Sequence, residues 1–63
     1  MHVTTHTYTS GATHVTLRDS TGRGIDSMNM SPASFEFYLA ARERMSDAEA
    51  FYLVRDDLNQ EAA

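Results

Sequence analysis

The sequence predicts an α+β fold: a small antiparallel β-hairpin or three-stranded sheet, followed by two α-helices packed on one face. Three observations predict it. Residues 2–9 are dense in β-branched residues, which suit a pleated surface and lose freedom in a helix, and residues 13–18 resume with apolar residues at period two. From residue 31 onward the apolar residues recur at helical spacing instead. Strands first and helices after is the α+β order.

The first strand is His2-Val3-Thr4-Thr5-His6-Thr7-Tyr8-Thr9, punctuated by Ser10-Gly11, and the second is Thr13-His14-Val15-Thr16-Leu17-Arg18. The sequence leaves the hairpin register open. A three-residue loop, Ser10 to Ala12, pairs Thr7 with Val15. It puts Val3, Val15 and Leu17 on one face and His2, His6, Tyr8, His14 and Arg18 on the other. A two-residue loop, Ser10-Gly11, pairs His6 with Val15 and moves His6 and Tyr8 to the apolar face. Val15 and Leu17 point inward in both. Asp19 to Gly24 reads as a turn, with two glycines and side chains that bond to their own backbone. Ile25 to Met30 is the third strand and the weakest, with Met28 and Met30 on one face.

Ser31-Pro32 opens the first helix with an N-cap and a proline whose missing N–H costs nothing there. Phe35, Tyr38, Leu39 and Met45 fall on its apolar face. Ser46-Asp47-Ala48-Glu49 is a capping box that ends one helix and starts the next, with Met45 and Ala50 placed as a hydrophobic staple. Ala50, Phe51, Val54 and Leu58 form the second helix's stripe, and residues 59–63 are expected to fray. The domain reading is one unit, 1–63, with strands in 1–30 and helices in 31–61.

The 63 residues leave room for one core only, and a chain this short hides only about 60% of the surface its unfolded form exposes. The absence of cysteine excludes disulfides and thiolate metal sites. No apolar stretch approaches the roughly 20 residues that span a bilayer, and none follows a basic N-terminus as a signal peptide's would. A soluble protein of the cytoplasm is expected. Catalytic constellations are missing as well. His2 and His6, four apart, lie about 13 Å apart on a strand, too far to share an ion. Gly22-Arg23-Gly24 lacks the longer glycine pattern of a phosphate cradle. Asp56 and Asp57, adjacent on a helix, point about 100° apart and cannot share a proton. No enzyme activity, metal or cofactor is expected.

Charge is the more informative feature. The formal net charge is −4, and all five bases are arginines. Arg18 and Arg23 balance Asp19 and Asp26 in residues 1–30. Arg42, Arg44 and Arg55 face seven acids in residues 31–63, so the whole excess lies in the helical half. Direct nucleic-acid binding needs clustered cations and is disfavoured. Asp47 and Glu49 suit the start of a helix. Asp56, Asp57 and Glu61 sit near the end, where cations are favoured, and Asp57 repels Glu61 at i,i+4. Glu49, Leu53, Asp56, Asp57 and Gln60 line one flank, and Glu36 and Glu43 make a two-acid line seven residues apart on the first helix. Unfavourable charge in a marginal domain points to a basic partner surface, against the plainer reading of a solvated face. Phe37 and Leu53 lie off the main apolar stripes, as part of a wide core or as partner anchors.

With its small size, absent cysteines and excess acids from Glu36 to Glu61, the chain resembles the small acidic proteins of phages and mobile elements, anti-CRISPR proteins in particular. The resemblance covers the chain in character and carries no motif, so no residue roles transfer. It implies a non-enzymatic inhibitor that binds a basic, nucleic-acid-handling surface of a host complex, such as a CRISPR-Cas effector subunit, and blocks its DNA binding in the manner of a DNA mimic. The charge placement, and not the resemblance, names the expected partner-binding residues: Glu36, Glu43, Glu49, Leu53, Asp56 and Asp57. The alternative is a structural or regulatory module that forms a homodimer through Phe37 or the exposed sheet edge.

Overall fold

The computed structural model describes residues 1–62, with side chains described as far as Asn59. Three strands, β1 (His2–Thr7), β2 (Thr13–Arg18) and β3 (Gly24–Met30), form an antiparallel meander in the order β1-β2-β3. Two helices, α1 (Pro32–Ala41) and α2 (Asp47–Ala62), follow. Both lie on one face of the sheet, α1 over β3 and α2 over β1 and β2. The α+β arrangement matches the sequence expectation.

The hairpin takes neither of the two expected registers. Thr7 pairs with Thr13, His6 with His14 and Val3 with Leu17. The connection is a five-residue loop, Tyr8 to Ala12, closed by Tyr8 N–H donating to the Ala12 carbonyl at 2.8 Å and Gly11 N–H donating to the Tyr8 carbonyl at 3.0 Å. Gly11 has φ 96°, a conformation that glycine adopts without strain, and it sits against the Pro32 ring at the start of α1. The pairing slides two residues from the three-residue-loop register, and a two-residue slide preserves the faces. Val3, Thr13, Val15 and Leu17 therefore point to the helices, and His2, His6, His14 and Arg18 point away.

The second turn is built around Asp19. Its Oδ1 accepts from Thr21 N–H at 2.9 Å, from the Thr21 hydroxyl and from Arg23 N–H at 3.1 Å. The Thr21 hydroxyl bond, with the backbone donors behind it, outweighs burial and lowers the Asp19 pKa below the usual 3.8. Past the turn the ladder slips: Arg18 pairs with Gly24 but Leu17 pairs with Asp26, leaving Ile25 as an exposed extra residue. This bulge turns Asp26, Met28 and Met30 to the helix side.

Val15, Leu17, Met30, Tyr38, Ala41, Ala50, Phe51 and Val54 form the core, with Val3, Met28, Phe35, Met45, Ala48 and Leu58 packed around it. Leu39, expected on the apolar face of α1, is 41% exposed. It lies about 100° around the helix from Tyr38, and this short helix rests on the sheet through Tyr38 and Ala41. The Ser31 hydroxyl caps α1 by accepting from Ser34 N–H at 3.2 Å. At the start of α2, Ser46 Oγ accepts from Glu49 N–H at 3.2 Å and donates to the Glu49 carboxylate at 3.0 Å. Of residues 59–63, expected to fray, Ala63 lies outside the described residues, and the helix continues through the others to Ala62. Good helix formers and the packing of Leu58 on the core carry it on.

Candidate interaction surface on the helix pair

Both ion pairs among the described residues serve the fold. The Arg42 guanidinium meets the Asp47 carboxylate in two bonds of 3.1 and 3.3 Å and lies 5.5 Å from the centre of the Tyr38 ring. The Arg55 Nη2 meets Asp26 Oδ1 at 2.8 Å and also donates to the Ser27 carbonyl. These pairs fix the turn between the helices and tie α2 to β3.

The pairing takes one acid, Asp47, and two arginines, Arg42 and Arg55, out of the helix layer's outward charge. Glu36, Glu43, Glu49, Asp56 and Asp57 remain, all exposed and none in an ion pair among the described residues. They are the five carboxylates expected to contact a partner. Only Arg44 stays unpaired beside them within the described part of the helical half. On α2, Glu49 and Asp56 lie seven residues apart and so within about 20° of each other on the outward face. Asp57 is rotated about 100° from Asp56, toward α1. Glu49 is also engaged in the α2 cap, so its charge is outward but its carboxylate is partly held.

One part of the expected arrangement is corrected. Glu36 and Glu43 do not form a line on the first helix, because α1 ends at Ala41 and Glu43 falls in the connection. There the chain tightens, with Glu43 N–H donating to the Ala40 carbonyl at 3.3 Å and Arg44 N–H to that of Ala41 at 3.0 Å. The side chains of Gln60, placed on the same flank from the sequence, and of Glu61, one of the acids near the helix end, lie outside the described side chains.

The structure joins two apolar residues that the sequence left separate. Phe37 of α1 and Leu53 of α2, 50% and 41% exposed, line one shallow groove between the helices with Ala40, Met45, Glu43 and Arg44. Phe37 also borders the neighbouring depression, where Asp57 stands with Ala33, Ser34 and Val54. On a helix, four- and seven-residue spacings set Phe37 near Ala41 and Arg44, and that position was the available signal. An apolar seam thus runs between the helices, with carboxylates at Glu43 and Asp57 on its borders.

The opposite face of the sheet is polar. His6 stands directly across from His14, whose Nδ1 lies 2.7 Å from Asn29 Oδ1, and the His6 ring meets Tyr8 edge-on at 5.0 Å. Among the described residues no three histidines or carboxylates are grouped to hold a metal ion, and no helix is long and apolar enough to cross a membrane. No family model matches the chain, and no curated protein and no solved structure is similar to it.

Proposed function

We propose that the protein is a non-enzymatic inhibitor whose helix pair binds a basic surface on a nucleic-acid-handling protein of the bacterial cytoplasm. The observation that carries this reading is the sorting of charge. Arg42 and Arg55 are held by Asp47 and Asp26, while Glu36, Glu43, Glu49, Asp56 and Asp57 stand outward and unpaired among the described residues. Carboxylates left free in this way attract arginines and lysines that otherwise hold phosphates. Such complementarity speeds encounter and sets register. The Phe37–Leu53 seam supplies apolar contact beside Glu43 and Asp57, of the kind in which interface energy concentrates. The resemblance to anti-CRISPR proteins makes a CRISPR-Cas effector the first partner to test, with occlusion of its DNA-binding surface as the mode of action.

The test is affinity capture on the immobilised protein from bacterial lysates, one of them with an active CRISPR system, eluted with rising salt. A nucleic-acid-binding complex that elutes as salt screens the contact, and that the Asp56→Arg/Asp57→Arg variant no longer retains, is the expected result. Equal retention by that folded double variant would remove these residues from the interface. The second reading, a self-associating module, is favoured by a separate observation on the sheet edge.

A further inference from the structure

We propose that the free edge of β1 pairs with β1 of a second copy, giving a two-fold dimer with a continuous six-stranded sheet. The inference is independent of the acidic helix face and rests on the contrast between the two edges.

In an antiparallel ladder, residues alternate between those whose backbone groups bond the neighbouring strand and those whose groups point away. Tyr8 N–H bonds the Ala12 carbonyl, and from that pair the alternation runs back along β1. His6, Thr4 and His2 bond β2, while Thr7, Thr5 and Val3 direct their N–H and C=O groups to the free edge. The side chains of Thr5 and Thr7 point to the helix side of the sheet, yet both are exposed, and Val3 is the one β1 residue that packs on the core among the described residues. Nothing on β1 guards this edge. The strand has no bulge, no proline and no Asp, Glu, Lys or Arg.

The β3 edge is guarded twice. Its ladder is interrupted by the bulge opposite Leu17 and Arg18. Continuing the same alternation, Ser27 directs its carbonyl outward, and the Arg55 guanidinium bonds it there. A strand approaching from that side meets a twisted backbone and an arginine already seated.

A second copy fits β1 better than it fits any other surface of the molecule. The helix face would set unpaired carboxylates against unpaired carboxylates, whereas β1 carries no Asp, Glu, Lys or Arg. A two-fold axis at Thr5 pairs Thr5 with its own copy and Val3 with Thr7, which satisfies all three outward-facing residues of each strand. Threonine pairs are favourable across strands. Because each copy contributes its single open edge, the assembly closes at two.

Sedimentation equilibrium over a wide range of concentration, at low and high salt, tests the pairing. The expected mass rises from monomer toward twice that value, independently of salt and equally in Asp56→Arg/Asp57→Arg. Thr5→Pro removes an outward N–H and no β1–β2 hydrogen bond, so a folded Thr5→Pro variant should stay monomeric. Should Thr5→Pro fail to fold, cysteine cross-linking decides, since the protein has no cysteine of its own. Mild oxidation should link Thr5→Cys across the axis and leave Ser27→Cys, on the β3 edge, unlinked. A wild-type protein that stays monomeric throughout, a folded Thr5→Pro that dimerises like wild type, or Ser27→Cys linking as readily as Thr5→Cys would each overturn the proposal. Partner capture by Thr5→Pro or Thr5→Cys reads out the helix-face function separately.

Discussion

Arg55 Nη2 lies 2.8 Å from Asp26 Oδ1, and this contact joins residues 29 apart in sequence, one on the last helix and one on the bulged strand. The guanidinium also bonds the Ser27 carbonyl and lies 5.6 Å from the centre of the Phe51 ring, so one side chain meets strand, helix and core together.

Asp26→Ala should therefore destabilise the fold. It strands a guanidinium whose Nε is already buried without a partner. Each side chain of the pair is about a third exposed, so the expected loss lies in the lower part of the range for an unsatisfied group, about 1–2 kcal/mol. Urea denaturation measures it. Asp26→Asn, which keeps an acceptor, should lose less.

Tyr38→Phe should stabilise. The Tyr38 ring is fully buried and its hydroxyl has no hydrogen-bond partner, so removing the oxygen relieves a desolvation penalty while keeping the packing against Arg42. A gain of about 1 kcal/mol, or roughly 4–8 °C in Tm for a domain of this size, is expected in thermal denaturation. Burial also raises the Tyr38 pKa above 10.0. The folded protein then holds a proton that the unfolded chain releases above pH 10.0. That part of the stability is complete below this pH and is lost as pH rises through the folded value. Wild type should weaken more steeply than Tyr38→Phe in alkaline urea titrations.

Asp19 acts in the opposite direction. Its lowered pKa means that its contribution is present above the ordinary value of 3.8 and is lost as pH falls through the folded value. Asp19→Ala should remove that acid dependence and loosen the turn. The readout is faster amide hydrogen exchange at Thr21 and Arg23, the two backbone donors that Asp19 holds.

Phe37→Ser and Leu53→Ser should separate folding from binding. Both side chains are well exposed, so each change should alter stability by no more than about 0.5 kcal/mol. If the seam anchors the partner, each should weaken capture by about tenfold or more, the scale of an interface hot spot. Circular dichroism and titration against the captured complex check the two halves.

The parts of the fold set by neighbouring residues were legible in the sequence. Ser31-Pro32 and Ser46 to Glu49 each form the caps that their types imply, and the alternation of Val15 with Thr16 and Leu17 identified the buried face of β2. The hairpin register was not legible, since the Tyr8–Ala12 loop depends on backbone bonds that several spacings of glycine permit. The inward turn of Asp26 depends on a bulge and on Arg55 from the end of the chain. The outward carboxylates were legible because charge on a helix surface follows from spacing alone. The ion pairs that hold Asp47 and Asp26 were not, and neither was the meeting of Phe37 with Leu53, which needs the crossing of two helices.

The helix that completes the core over the sheet is made after all three strands. Ala50, Phe51 and Val54 of α2 complete the core over Val15 and Leu17. During synthesis the β-meander emerges with its apolar face bare, and that face stays bare until most of α2 has left the ribosome. Folding of the sheet thus waits on the synthesis of α2, and a nascent chain stalled before α2 exposes both Val15 and Leu17 and the open β1 edge to chaperones and to other chains.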